Sequence, residues 1–273
     1  MTNTIIIHSP FIDPSYNLSY EDRLFDQLKE GERILFLWKN LPSVILGRSQ
    51  NPWYEVNLPY LQEKKFSLLK RSSGGGTVYH DLGNLNISFM EWIPSVESMK
   101  GYQRTHLDLV LETLKELGIM AERNDRGDLL FMEKKISGSA YRLSKRKLLH
   151  HCTLLMFTQL PHLRTSLAST EKPFIQCRSV KSVTASVSNL PLEETQKKIF
   201  ERNFRFRLGR LWNGDGFVRK MDHDEVSLQE MSVWGSVSKW SDNDRVYRSL
   251  PPFSWKGQTI DPKKCDLDFP WRS

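Results

Sequence analysis

Residues 70–84 read KRSSGGGTVYHDLGN, and they concentrate groups able to hold an anion. Arg71 carries a planar fork of donors that suits phosphate or carboxylate. Ser72 and Ser73 add hydroxyls. Gly74, Gly75 and Gly76 leave backbone N–H groups unshielded by a Cβ, so an anion can come close. The spacing is neither G-x-x-x-x-G-K-[ST] nor G-x-G-x-x-G. The next residues, TVYH, are β-branched and aromatic, so no helix dipole is expected to contribute.

Two later stretches carry further chemistry. KKISGSAYR (134–142) places Lys135 two residues before the small run Ser-Gly-Ser-Ala. On an edge strand such a lysine is ordinarily solvated. Beside small residues it can hold a phosphate as a compact charge while a ligand lies flat against the backbone. LHHCTLL (149–155) reads as a strand, so His150 and His151 face opposite sides, which argues against a zinc pair. Cys152 beside His151 raises the idea of a thiolate nucleophile. Neighbouring strand residues point apart, however, and a small buried side chain is the plainer account.

These groups need a scaffold. Apolar patterning predicts a strand at 5–8 and an amphipathic helix at 17–29. Strands follow at 34–40, 43–49 and 67–73, with a helix around 58–64 between the last two. A strand–turn–strand unit is predicted at 77–90, the clearest helix at 103–117, strands at 129–142 and 148–158, and a helix at 192–204. Hairpins outnumber strand–helix alternations, which points to an α+β fold. The 273 residues carry 39% hydrophobic and 26% charged residues, as a globular chain does. The net charge of +7 favours an acidic or polyanionic partner. Three cysteines (152, 177, 265) suggest no disulfide framework and favour a reducing compartment. The N-terminus reads as neither signal peptide nor presequence, and no run is long enough to span a bilayer. A cytoplasmic location is therefore expected.

In order along the chain, five stretches resemble the lipoate–protein ligase A family and the related lipoyltransferases. They are DPSYNLSYEDRLF (13–25), ILFLWKNLPSVILGRSQNPWYEVN (34–57), KRSSGGGTVYHDLGNLNISF (70–89), KKISGSAYR (134–142) and HHCTLL (150–155). SVTASVSNL (182–190) resembles a later family loop more loosely. The resemblance implies a fold shared with biotin ligases, a mixed sheet flanked by helices, over residues 1–200. It implies that ATP, with Mg²⁺, activates lipoate as lipoyl-AMP. The lipoyl group then passes to a lysine of 2-oxo-acid dehydrogenase E2 subunits or the glycine-cleavage H protein. By this resemblance Lys135 is the catalytic lysine contacting both ligand halves. Arg71, Ser73, Gly76, Thr77, Val78, Tyr79 and Asp128 belong to the nucleotide side, with Asp128 also the candidate Mg²⁺ residue. Gly75, His80, Arg142 and His151 belong to the lipoate side, with Val44 and Leu46 as further candidates for the apolar slot.

The chain departs from the family pattern at several points. Lys70 replaces the first arginine of the pair, and Thr184 stands where arginine is expected. Gly127 precedes Asp128 where asparagine is usual, and Arg123-Asn124-Asp125 offers Asp125 as the other alignment. Residues 201–273 lack the family's G-x-[ST]-P-x-F segment, so the usual accessory domain is not recognisable and a separate accessory chain is one option. Residues 235–273 show no apolar periodicity and are expected not to form an ordered accessory domain. A transferase using preformed lipoyl-AMP or an octanoyl donor is the alternative reading. FRFRLGRLW (204–212) interleaves Arg with aromatics as single-strand binders do, but neither nucleic acid nor membrane is expected as a partner.

Overall fold

The longest apolar runs become the centre of a six-stranded mixed sheet. The computed structural model describes residues 3–214, 218–220, 246–247 and 249–264. The sheet holds β1 (Asn3–His8), β2 (Glu32–Trp38), β6 (Asn84–Trp92), β10 (Ser139–Ser144), β11 (Lys147–Leu155) and β13 (Val218–Lys220), in the order β10-β11-β6-β2-β1-β13. From β10 to β2 every pairing is antiparallel, while β1 runs parallel to both β2 and β13.

Strand side chains alternate between faces, and the two faces have different covers. Leu35, Leu37, Leu85, Ile87, Phe89 and Leu154 pack under α4 (Met99–Glu116) and α6 (Lys197–Asn213). Ile34, Phe36, Trp38, Met90 and Leu149 face α1 (Pro14–Gln27). Helix α1 begins earlier than the apolar pattern suggests. Asp13 accepts hydrogen bonds from the N–H groups of Ser15 and Tyr16, and Pro14 fills the first turn, where a missing N–H costs nothing.

Three smaller sheets surround this core. One is β4 (Ser67–Lys70), β3 (Ser43–Leu46) and β5 (Val78–His80), with β3 central; α2 (Pro52–Glu55) and α3 (Leu58–Lys64) lie between β3 and β4 in the chain. A second is β7 (Glu122–Arg123), β8 (Leu129–Phe131) and β9 (Lys134–Ser137). The single strand expected at 129–142 is thus three. Met132 and Glu133, both at positive φ, turn β8 back on β9, and Gly138 separates β9 from β10. After β11 come α5 (Leu160–Ser166) and β12 (Ile175–Gln176).

The C-terminal region corrects two expectations. Helix α6 runs to Asn213 and buries Phe200, Phe204, Leu208 and Trp212, so a domain boundary at residue 200 would cut through a core helix. This burial also explains the FRFRLGRLW stretch: Phe204 and Trp212 fill the core, and Arg205 and Arg207 pair with Glu201 and Glu116. Residues 235–245, 248 and 265–273 lie outside the described residues. The described part of the tail, however, is packed. β14 (Phe253–Trp255) and β15 (Gln258–Ile260) form a hairpin that extends β12. Tyr247 and Phe253 stand 5.1 and 5.2 Å from Trp53, ring centre to ring centre. Short period-2 runs of three residues are too brief to be read from sequence.

Candidate active site

The glycine loop is positioned by contacts that need its missing side chains. Gly75 has φ +84°, a conformation available to glycine without strain. A Cβ at Gly47 would meet Gly75 O at 2.2 Å, so the glycine of GRSQ lets the β3 end press against the loop. Arg71 is buried and fastens the loop from inside. Its guanidinium donates to the carbonyls of Ile45, Gly74 and Gly76 at 3.1, 2.6 and 2.7 Å and to Ser73 Oγ at 2.9 Å. Burial lowers its pKa to about 10, opposed by the Glu21 carboxylate, which leaves it cationic at neutral pH. The Arg71 guanidinium thus ties the loop together through backbone carbonyls while it also borders the smaller of the site's two cavities.

Behind the loop runs a hydrogen-bond chain. Ser73 Oγ lies 2.8 Å from His151 Nε2, and His151 Nδ1 donates to Glu21 Oε1 at 2.9 Å. Ser88 Oγ also donates to Glu21 Oε1, at 2.6 Å, and Trp38 Nε1 donates to Ser88 Oγ at 2.9 Å. Burial alone would raise the Glu21 pKa. The His151 charge and hydrogen bond, the Ser88 hydroxyl and Arg71 outweigh it and hold the carboxyl below its ordinary value. His80, within 3.1 Å of Asn40 Nδ2, is pushed down to about 3 by burial and by Arg71 and His151, and is neutral.

Lys135 and Asp128 face one another, Nζ to Oδ1, at 2.7 Å. The β8–β9 hairpin brings them together, and Gly138 leaves the room: a Cβ there would sit 2.9 Å from Lys135 Nζ. Asn124 accepts from the Asp128 N–H at 2.9 Å and fixes the loop. Asp128, and not Asp125, is thus the carboxylate on the lysine. Loop 182–188 lies over this pair. The Lys135 N–H donates to Ser186 O and the Ser188 N–H donates to Lys135 O.

Two cavities meet here. One of about 250 Å³ is lined by Trp38, Gly75, His80, His151 and the Lys135–Asp128 pair. The other, about 530 Å³, is lined by Tyr54, Tyr79, Leu163, Lys172 and residues 182–187. Thr77, Val78, Lys135 and Gly138 border both. Gly76 lines the smaller cavity, and Ser73 reaches the site through His151.

Val44, Leu46 and Arg142 fall elsewhere. Val44 and Leu46 pack with Val56, Leu61 and Tyr79 in a core cluster, not on a slot. Arg142 pairs with Asp22 and Asp26, each at 3.1 Å, outside both cavities. Cys152 is 3% exposed in the main core, and burial raises its thiol to about 12, so it is no thiolate nucleophile. Several residues of the site were not singled out from sequence. Gln50 Oε1 accepts from the Gly47 N–H and Thr77 Oγ1, and Gln50 Nε2 donates to Ser182 Oγ. The Ser182 N–H donates to Glu55. Their signal lay in the quoted GRSQNPW and SVTASVSNL stretches. Glu21, Trp38 and Asn40 also lie in quoted stretches, 13–25 and 34–57, but nothing there marked them as site residues, because a lone buried polar residue looks like any other before its partner is known.

Residues 13–205 match the family model of the lipoyl protein ligase A/B catalytic domain, and the chain belongs to that family. Its fold is that of lipoate–protein ligases. A protein from T. acidophilum, assigned as a lipoate protein ligase and solved with bound lipoic acid, is 26% identical over 86% of this chain and 96% of its own, with a TM-score of 0.66. Lipoate-protein ligase A bound with ATP is 24% identical over 88% and 98%, with a TM-score of 0.69. A structure from an archaeal bi-partite ligase system and its E2 lipoyl domain, from Thermoplasma acidophilum, is 23% identical over 87% and 92%, with a TM-score of 0.67.

Proposed function

We propose that this protein is a lipoate–protein ligase that activates lipoate with ATP and transfers the lipoyl group to a lysine of lipoyl-acceptor domains. The observation that carries the reading is the place of Lys135, an ammonium at the junction of two cavities. The smaller has room for an acyl chain and the larger for a nucleotide. The lipoate carboxylate attacks the α-phosphorus of ATP, and pyrophosphate leaves. Both reactants are anionic, so a fixed cation between them offsets their repulsion and stabilises charge developing on the phosphate. The acceptor amine then attacks the carbonyl carbon of the mixed anhydride, and AMP leaves. Neither step requires a side-chain nucleophile, which agrees with the buried thiol of Cys152.

Asp128 is the one carboxylate on Lys135, and among the described residues no cluster of three or more acidic, His or Cys groups could hold a metal. Mg²⁺ carried in on the ATP phosphates is commonly held by one or two carboxylates. Such an ion would neutralise phosphate charge, and Asp128 is the residue we infer would hold it. E2 lipoyl domains and H protein are the acceptors we infer. The unpaired thiols of Cys152 and Cys177 suit a reducing compartment such as the cytoplasm, and among the described residues no helix is long and apolar enough to cross a membrane.

A second reading is transfer from preformed lipoyl-AMP or an octanoyl donor without activation. Two observations favour it: Arg71 is bound to backbone carbonyls, and Thr184 on the larger cavity offers no charge to phosphate. Lipoate-dependent ATP–pyrophosphate exchange decides between them. Exchange together with a lipoyl mass increment on an apo lipoyl domain supports the ligase. Acylation from synthetic lipoyl-AMP without exchange supports the transferase, and neither activity would overturn both.

A further inference from the structure

A third concavity, about 710 Å³, runs beside the site and is strongly basic. Arg48, Lys100, Arg104, Arg123, Arg126 and Arg142 line it, against Asp125 as the acidic residue. Arg123 lies 3.6 Å from Asp108, and Arg142 holds Asp22 and Asp26. Arg48, Lys100, Arg104 and Arg126 are exposed, and none has an ion-pair partner among the described residues. Gathering like charges in one groove is unfavourable unless something acidic answers them.

The groove is continuous with the site. Gly75, Arg126, Ser139 and Ala140 line both it and the smaller cavity. Ser139 Oγ donates to Gly127 O, next to Asp128, so the opening lies at the Lys135–Asp128 end. The nucleotide-sized cavity borders Lys135 by other residues, namely Tyr54, Leu163 and Lys172. Nucleotide and groove thus reach the reacting centre through different walls.

We propose that this groove docks the acceptor protein and selects a carboxylate-rich surface around the acceptor lysine, an inference that rests on the acyl-transfer reading. Flanking acids would engage Lys100 and Arg104 on α4 and Arg48 on the opposite rim. The lysine would enter past Arg126. The same cations disfavour an ammonium nearby and so lower the pKa of the incoming amine. In the step itself the neutral amine nitrogen bonds to the carbonyl carbon. The carbonyl C–O bond to AMP breaks, AMP keeps the electron pair, and the amine's surplus proton passes to water in the groove.

The test is the double variant Lys100→Glu/Arg104→Glu, two exposed positions on one helix, assayed with an unlipoylated E2 lipoyl domain bearing acidic residues beside its lysine. We expect kcat/KM for the domain to fall by about tenfold or more and to lose much of its dependence on NaCl, as reversal of steering charges does. ATP–pyrophosphate exchange should be unchanged. A domain whose flanking acids are changed to lysine should regain rate with the variant and lose it with wild type. Unchanged kcat/KM and salt dependence would overturn the proposal. So would tight binding of a single-stranded RNA oligonucleotide that the variant abolishes while leaving domain kinetics intact. Binding of the apo domain, measured by calorimetry without ATP, judges the docking surface even if wild type shows neither exchange nor transfer.

Discussion

The Nζ of Lys135 lies 2.7 Å from Oδ1 of Asp128, and loop 182–188 is bonded to the backbone of the same lysine on both sides. A charged group held this way needs no reorganisation when negative charge develops beside it. Lys135→Ala is expected to lower kcat/KM for both half-reactions by about 3–4 kcal/mol in transition-state terms, a factor of some hundreds. Thermal unfolding should shift little, since the side chain is partly solvated. Single-turnover assays of exchange and of transfer check it; near-normal rates would remove Lys135 from the mechanism.

Gly74 and Gly76 of the loop and Gly47 behind it should not respond alike. A Cβ at Gly74 meets nothing within 4 Å, whereas one at Gly76 lies 3.1 Å from Ser182 Oγ and one at Gly47 collides with Gly75 O. Gly74→Ala should keep stability and turnover near wild type. Gly47→Ala should forfeit most activity and cost roughly 1–3 kcal/mol, the scale of overpacking a tight contact. Denaturant melts and turnover of the two variants side by side provide the comparison, and a benign Gly47→Ala would show the loop to be more compliant than drawn.

Much of this arrangement is legible in the sequence. Strands β1, β2, β6 and β11 of the central sheet and helix α4 follow from apolar period, and the loop residues from their unusual density of glycine and hydroxyls; β13 and the break before β10 do not. What could not be read was long-range pairing. Glu21 and His151 are far apart in sequence, as are Gln50 and Ser182, and nothing local marks either as one half of a bond. Val44 and Leu46 failed for the opposite reason. An apolar strand residue looks the same whether it faces a slot or a core, and here both face the core.

Buried neutral histidines make the fold sensitive to acid. His80 has a folded pKa of about 3, and His150 is held well below its ordinary value by burial, His106 and His151. In the unfolded chain each takes up a proton below about 6.5, while the folded protein does not. The unfolded state then binds more protons, so stability falls as pH drops from about 6.5 toward 3, by up to about 1.4 kcal/mol per pH unit from His80, and His150 adds loss in the same direction. Glu21, with its lowered folded pKa, adds loss in the same direction below the unfolded carboxylate range. Unfolding free energies at pH 7, 6 and 5 should show this decline, and His80→Gln should make it shallower by about one proton. A slope unaltered in the variant would mean that His80 is not neutral in the fold.

Cys152 gives a sharp negative expectation. Its thiol is buried in the main core and pushed up to about 12, so almost none is ionised near neutrality. Cys152→Ala should keep most of the ligase rate, and iodoacetamide should leave Cys152 of the folded protein unlabelled. An inactive variant, with an acyl thioester trapped on the wild-type residue by mass spectrometry, would replace the adenylate route with a covalent one.

The packed part of the tail supplies the last prediction. Trp53 belongs to the GRSQNPW stretch, and Tyr247 and Phe253 cover it. Trp255 Nε1 donates to Glu171 at 2.8 Å, beside the 172–176 segment that leads into the loop over Lys135. The hairpin therefore braces the outer wall of the nucleotide-sized cavity through Trp53, Glu171 and β12. Phe253 is 5% exposed, and its loss to alanine should cost about 3 kcal/mol or more, as aromatic deletions in cores do. If the brace also sets loop geometry, Phe253→Ala should raise KM for ATP while KM for lipoate stays close to wild type. Loss of stability with both KM values unchanged would make the hairpin a structural cover alone. Limited proteolysis adds a second check. Cleavage within 249–264 of the folded protein, at rates typical of an unstructured segment, would mean that these contacts do not hold the hairpin down.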